Sequence, residues 1–364
     1  MIKCVVLFVT VWSALGCISN NTVQRIESTD SVIKYKNDAP ESVRFANLYP
    51  GKKSYPFTCT KNCYPISTNV ICQTESPAQN CLFQGEQDVS EIAAGFSIKW
   101  LGHASFYVEA GDGTTFLIDP VSKQFDWPVN WAFWFDSGFN RKAPVWLDKQ
   151  QVSAVNGVMY SHVHYDHFNK DDINDMGTSP QYFTPLGFAK HFPDSGFNIK
   201  EMPWFSSAKL NDVAIHFVPA HHFSSRIWVP YLYEDNDMAL WGGWVLEHNG
   251  KRLFYAGDTG YSKHFKDIQQ RYGDMDVCLI PIASYYHEED ADWYRYVHTT
   301  PEDALVAADE LNCKVMIPWG YGNSSWKMGD HSSHSALLRL LNMHNQLQPK
   351  TPLYILNEGE SVDF

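Results

Sequence analysis

From Phe96 onward, apolar and polar residues alternate in short runs with a period of two. Residues 96–100, 105–109 and 115–119 read as three strands of a meander, with Gly111-Asp112-Gly113 as the second turn. Residues 155–160 form a short apolar run that predicts a buried strand. Strand edges are predicted at 180–185 and 199–203, and 212–219 alternates up to Pro219. Residues 243–248 and 251–256 flank Asn249-Gly250, a turn pair that predicts a hairpin. Apolar runs at 276–280 and 313–317 also read as strands. Helices are predicted at 170–176, 263–272, 301–311 and 334–345. At the third of these, Thr300 caps, Pro301 opens the first turn, and Glu302 and Asp303 sit near the positive helix end. Strands followed by helices, twice over, predict an α/β (α+β) fold with an αββα layering. The duplication leaves no recognisable internal repeat.

The first 95 residues follow another pattern. Lys3 precedes an apolar run from Val5 to Leu15, too short to span a membrane, and small residues surround a cleavage site before Cys17. Residues 1–16 therefore read as an export signal. Cleavage before cysteine makes Cys17 a lipidation candidate, although Ala14-Leu15 reverses the usual order of such signals; plain secretion is the alternative. No later stretch is long and apolar enough to span a membrane. Residues 17–40 are polar and read as a tether or mobile arm, and 41–95 as a Cys-rich extension. Residues 96–364 form the remaining domain. In an exported chain Cys59, Cys63, Cys72 and Cys81 predict two local disulfides in any of three connectivities, ahead of a rival zinc site that lacks a C-x-x-C knuckle. Cys278 and Cys313, within apolar strands, are expected to be buried free thiols.

Charge narrows the function. The formal net charge is −13, which argues against nucleic acid as a partner. The chemistry concentrates in Ser161-His162-Val163-His164-Tyr165-Asp166-His167. A helix cannot gather those side chains on one face, whereas a loop after a strand can. Imidazoles and a carboxylate suit zinc, and carboxylate also suits iron or manganese.

This H-x-H-x-D-H pattern resembles the metallo-β-lactamase fold superfamily. Trp100-Leu101-Gly102-His103-Ala104-Ser105, Pro219-Ala220-His221-His222-Phe223-Ser224-Ser225-Arg226, Leu240-Trp241-Gly242-Gly243-Trp244, Tyr255-Ala256-Gly257-Asp258-Thr259-Gly260-Tyr261 and His298-Thr299-Thr300-Pro301 resemble its branch of N-acyl-phosphatidylethanolamine-hydrolysing phospholipases D. The resemblance runs from about Phe96 to the end of the chain. It implies a four-layered αββα sandwich and a centre of two zinc ions, with manganese or iron as alternatives. By resemblance His162, His164 and His222 hold the first ion, Asp166 and His167 the second, and Asp258 bridges. His221 is the alternative to His222.

One departure stands out. In Met316-Ile317-Pro318-Trp319-Gly320, proline occupies the place where the resemblance expects the last histidine ligand. A weaker second site, substitution by His331 or His334, or a one-metal protein are the three readings; a binuclear site with an altered last ligand is preferred. His103 and Asp119 are expected to orient ligands from behind. His298 is a candidate acid or orienting group, and Arg226 is expected to bind a substrate phosphate or position its loop. His191, His216, His264 and His344 read as surface or structural.

The resemblance implies a phosphodiesterase, phospholipase D-like and acting on N-acyl phospholipids, in which a metal-activated water attacks and Asp166 orients it. A lactonase or other carboxylic-ester hydrolase is the competing enzyme reading, and a non-catalytic metal-binding envelope protein the competing class. The expected partners are a small-molecule or lipid substrate and a membrane surface. That surface is reached through Cys17 or the aromatic segment 125–135, which reads equally as a lipid-facing lip or a buried plug. The expected location is periplasmic or extracellular.

Overall fold

The computed structural model describes residues 20–26, 34–35, 44–49, 59, 61–72, 81–87, 89, 95–126, 141–226, 228–229, 233–287, 289–325 and 333–364. The export signal, Cys17, His331 and most of the aromatic segment 125–135 lie outside these residues.

The strands of the two main sheets are β1 (Thr22–Arg25), β2 (Phe96–Gly102), β3 (Ser105–Ala110), β4 (Thr115–Ile118), β5 (Gly157–Met159), β6 (Gln181–Pro185), β7 (Asn198–Met202), β8 (Ser206–Leu210), β9 (Val213–Pro219), β10 (Gly242–His248), β11 (Lys251–Tyr255), β12 (Val277–Pro281), β13 (Val315–Trp319) and β14 (Ser361–Asp363). One sheet has eight strands in the order β1-β7-β6-β5-β4-β3-β2-β14, and a second has six in the order β8-β9-β10-β11-β12-β13. The helices are α1 (Lys149–Ser153), α2 (Lys170–Met176), α3 (His264–Tyr272), α4 (Ala291–Val297), α5 (Pro301–Glu310) and α6 (Ser335–Leu347).

Strand alternation explains the layering. In β4, Phe116 and Ile118 enter the core between the sheets, while Leu117 faces the other way. Val158 and Met159 of β5 divide similarly. Leu117 and Val158 pack with Val152 of α1 and Ile173 and Met176 of α2, so these helices cover the eight-stranded sheet. Helices α3, α5 and α6 cover the six-stranded sheet, with α5 against both β12 and α6. The result is the four-layered αββα sandwich expected from the sequence.

The aromatic richness goes into this core. Trp100, Trp204, Trp241, Trp244 and Trp319 are fully buried. Each such ring removes about 150–250 Å² from water, worth roughly 4–6 kcal/mol at about 25 cal/mol per Å². Tyr255 and Trp319 stack at 5.4 Å between ring centres, and Phe106 from the opposite sheet meets both edge-on. The Thr300 cap forms as read, with Thr300 Oγ1 accepting from the Asp303 amide at 3.1 Å.

Two expectations change. Residues 20–26, assigned above to a tether, include a strand: β1 pairs in parallel with β7, and the Asn21 side-chain oxygen accepts from the amides of Ser195, Gly196 and Phe197. A polar strand with all four residues exposed gives no apolar signal, which is why composition hid it. Cys278 and Cys313 are not free thiols but form a disulfide. Both lie on neighbouring parallel strands or just before them, at a Cα separation of 6.0 Å. The other four cysteines pair locally, Cys59 with Cys63 and Cys72 with Cys81. The second of these joins directly opposed residues of a small hairpin formed by Val70–Cys72 and Cys81–Phe83.

Candidate metal centre

The strand ends converge at one rim of the sandwich. The loop after β5 brings His162, His164, Asp166 and His167; the segment after β9 brings His222; the turn after β11 brings Asp258. Gly257 makes that last turn possible: its φ is +62°, and a Cβ there would stand 2.4 Å from the Gly242 carbonyl oxygen. His298 arrives from the C-terminal end of α4, a helix the hydrophobic pattern does not reveal. His103 comes from the β2–β3 turn in the left-handed region, at φ +50°. A non-glycine residue there costs on the order of 1–2 kcal/mol, which the surrounding contacts must offset.

The donor atoms fall into overlapping clusters. His162, His164 and His222 form one, His103, Asp166 and His167 a second, His162, His167 and Asp258 a third, and His222, Asp258 and His298 a fourth; within each, the donors lie within 4.8 Å of one another. Asp258 thus stands between the first two clusters. Its Oδ2 is 3.2 Å from His167 Nε2, 3.4 Å from His298 Nε2 and 3.9 Å from His222 Nε2.

Hydrogen bonding fits this constellation to a cation. His222 Nδ1 donates to the Val297 carbonyl at 2.9 Å, and His167 Nδ1 donates to Asp119 Oδ2 at 2.8 Å. With Nδ1 committed to an outer acceptor, each ring turns its Nε2 into the site. His167 Nε2 is buried between the Asp258 and Asp166 carboxylates, at 3.2 and 3.6 Å. His162 Nε2 lies 2.8 Å from His164 Nδ1, and His222 Nε2 lies 3.2 Å from that same atom. Converging lone pairs and carboxylates are what a divalent ion satisfies, and N/O donors of this kind suit zinc and its neighbours.

Electrostatics agree. Burial pushes His162 and His222 well below the usual imidazole range and His164 down to about 4, so all three stay neutral. Burial also opposes charge on His167, but Asp258, Asp166 and Asp119 outweigh it and raise that ring well above its ordinary value. For Asp166 and Asp258 burial is likewise the largest single influence, yet His167 and other nearby imidazoles hold both below the usual carboxylate range. The pocket therefore seeks positive charge.

Asp119 stands behind the ligands as expected. It accepts from the Ser161 amide at 2.7 Å, from His167, and from the Tyr255 hydroxyl at 2.7 Å, tying both sheets to the ligand loop. His103 is closer in than a purely supporting role needs, with Nε2 2.9 Å from Asp166 Oδ2. His221 is turned away, towards the carbonyls of Tyr296 and Tyr49. His334 belongs to none of the donor clusters; it packs on Tyr321 and Ser333. His191 and His264 are buried.

Arg226 does not face the cavity as a phosphate ligand would. Its guanidinium donates to the carbonyls of Val163 and Phe168 at 2.8 and 2.9 Å and pairs with Asp126. It also lies over the rings of Tyr165 and Phe168. Of the two roles expected for it, the geometry has it pinning the ligand loop. Its signal was ambiguous because a lone arginine after a ligand has no pattern that tells inward from outward.

The centre floors a cavity of about 320 Å³. Phe223, Trp293, Tyr294, Val297 and Ala283 form apolar parts of its wall. Trp293 is also partly exposed to solvent.

A family model described as the beta-lactamase superfamily domain matches residues 114–321, a span holding every residue of the four donor clusters except His103. The chain belongs to the metallo-β-lactamase superfamily. An uncharacterised protein of Mycobacterium tuberculosis is 29% identical over 258 residues, covering 68% of this chain and 64% of that protein. An N-acyl-phosphatidylethanolamine-hydrolysing phospholipase D of Caenorhabditis elegans is 27% identical, over 62% of this chain and 64% of the relative. The chain thus spans about 64% of the length of these curated relatives. A solved metallo hydrolase from Ignicoccus hospitalis shares the superfamily fold with a TM-score of 0.52 at 21% identity, covering 74% of this chain and 98% of that one.

Proposed function

We propose that this superfamily member is a metal-dependent hydrolase that cleaves a phosphodiester bond, in the manner of a phospholipase D, in a substrate with an apolar tail. The observation that carries the reading is the joining of two donor clusters by Asp258 at the floor of an apolar-walled cavity. His162, His164 and His222 would hold one divalent ion, and Asp166 and His167 a second, with Asp258 shared. When bound, such ions supply Lewis acidity and bring a water to nucleophilic strength near neutral pH.

The chain's own groups supply the rest. Asp166 orients the attacking water and accepts its proton. His298, whose Nε2 lies 3.4 Å from Asp258 Oδ2, returns a proton to the departing oxygen. The products are a phosphomonoester and an alcohol. Phe223, Trp293 and Tyr294 exclude water and seat an acyl chain. The likeness to N-acyl-phosphatidylethanolamine-hydrolysing enzymes supports an N-acyl phospholipid as substrate by analogy. An exported protein fits the three disulfides. Lipid attachment at Cys17 would place it at the membrane surface its substrate occupies.

One observation favours a second reading. Among the described residues lining the cavity there is no lysine or arginine, so phosphate charge would be met by the ions alone. A carboxylic ester or lactone needs no such cation. Turnover of bis(p-nitrophenyl) phosphate and of N-acyl-phosphatidylethanolamine vesicles, compared with lactones, decides between them. The proposal expects phosphodiester turnover that chelator or Asp258→Ala abolishes. Lactone turnover alone would replace it with the second reading.

A further inference from the structure

We propose that His103 is itself a ligand of the second metal position, completing there the protein donor set of Asp166, His167 and the shared Asp258. This rests on reading the site as a metal centre. The late strand β13 reaches that position with Trp319, whose ring centre lies 6.4 Å from that of His167, and carries Ile317 and Pro318 just before it. Neither aliphatic side chain has a donor atom, and an indole N–H offers no lone pair. His103 fills the gap from the other sheet. Its ring nitrogen, an Asp166 oxygen and a His167 nitrogen lie within 4.8 Å of one another.

The hydrogen-bond directions favour ligation over support. The Ser325 hydroxyl donates to the Gly320 carbonyl, so at His103 Nδ1, 2.8 Å away, it acts as acceptor. His103 Nδ1 therefore carries the ring's proton, and the neutral ring turns a bare Nε2 towards Asp166 Oδ2 at 2.9 Å. Two acceptors at that distance repel unless a cation lies between or beside them. His167 and His222 are arranged in the same way, with Nδ1 donating to a fixed acceptor and Nε2 facing inward. The backbone fixes the ring as well: Trp100 Nε1 donates to the His103 carbonyl at 2.9 Å, holding the left-handed turn. A ring that merely steadied Asp166 would instead donate from Nε2, leaving Nδ1 and the Ser325 oxygen as opposed acceptors.

The test counts metal rather than turnover. The purified chain and its His103→Ala and His103→Gln variants are dialysed against zinc, ions per chain are measured by elemental analysis, and imidazoles per zinc by X-ray absorption. Glutamine can donate a hydrogen bond to Asp166 but is a poor zinc ligand, so it separates ligation from positioning. The expected result is two ions in the parent chain and one in both variants, with free imidazole restoring the second ion to His103→Ala. The retained first ion shows that the variants are folded. Two ions at parental affinity in His103→Gln would overturn the proposal and leave His103 as a positioning residue. One ion in the parent chain would overturn it while sparing the metal-centre reading. No ion in the parent chain would overturn both.

Discussion

Replacing Arg226 by alanine separates a loop-holding arginine from a substrate-binding one. The guanidinium is buried, donates to two backbone carbonyls of the ligand loop and pairs with Asp126. Alanine leaves the Val163 and Phe168 carbonyls without this donor, at about 1–3 kcal/mol for each one left unsatisfied. It also leaves Asp126 without its cation, and breaking a buried pair alone costs roughly 3–5 kcal/mol. Water entering the vacated space offsets part of the sum, so a net loss of about 3–5 kcal/mol is expected. At about 2 °C per kcal/mol for a chain of this size, the melting temperature should fall by roughly 6–10 °C. Thermal unfolding gives that quantity, and titration with a chelating dye gives metal affinity, which should fall because the carbonyls belong to the loop carrying His162–His167. KM should rise no more for phosphate-bearing substrates than for neutral esters. A variant of unchanged stability and metal affinity, with KM raised only for phosphate-bearing substrates, would refute the reasoning and return Arg226 to the substrate.

Asp119→Asn should weaken metal binding by about 10–100-fold in a chelator competition, because its amide presents a donor to the donating His167 Nδ1; unchanged affinity would remove Asp119 from the centre's support. Cys278→Ala with Cys313→Ala should lower unfolding free energy by about 4 kcal/mol in denaturant titrations, since that bridge closes the longest loop of the three, with a separation of 35 residues. A loss equal to that from removing Cys59–Cys63, separated by only 4 residues, would contradict the loop argument. Burial holds His191 down to about 3, so the unfolded chain takes up its proton first as pH falls. Its contribution is therefore full above about pH 6.5 and is lost on acidification towards 3, at up to about 1.4 kcal/mol per pH unit. His191→Gln should flatten the stability–pH curve in that window, and an unaltered slope would show that other groups set it.

The core strands and most helices were legible because each buries one face, so a period of two or a capped apolar run marks them. Helix α2 occupies residues 170–176 as read, and Asn249-Gly250 joins β10 to β11. Strand β8 and helix α4 were not legible. The exposed side chains of Ser207 and Lys209 weaken the strand pattern of β8, and α4 buries only Val297. The ligands were found through their spacing within one loop. His103 was expected only behind the ligands; its direct approach to Asp166 was not legible, because it depends on β2, β3 and β5 coming together in one sheet across residues 63 positions apart. The Cys278–Cys313 bridge was missed for a related reason: adjacent apolar runs disclose that two strands are buried, not that they are neighbours in register.

The eight-stranded sheet is closed at its two sides by β1 and β14, short strands from opposite extremes of the described chain. Each shields a row of backbone amides and carbonyls that would otherwise template pairing with another molecule. Loss of the segment carrying Thr22–Arg25, by proteolysis for instance, would leave the catalytic rim intact yet bare the flank of β7. The nicked protein should keep its chemistry while becoming prone to self-association. Colloidal stability and activity can thus be lost separately in this molecule, with the first depending on a few polar residues far in sequence from the histidines.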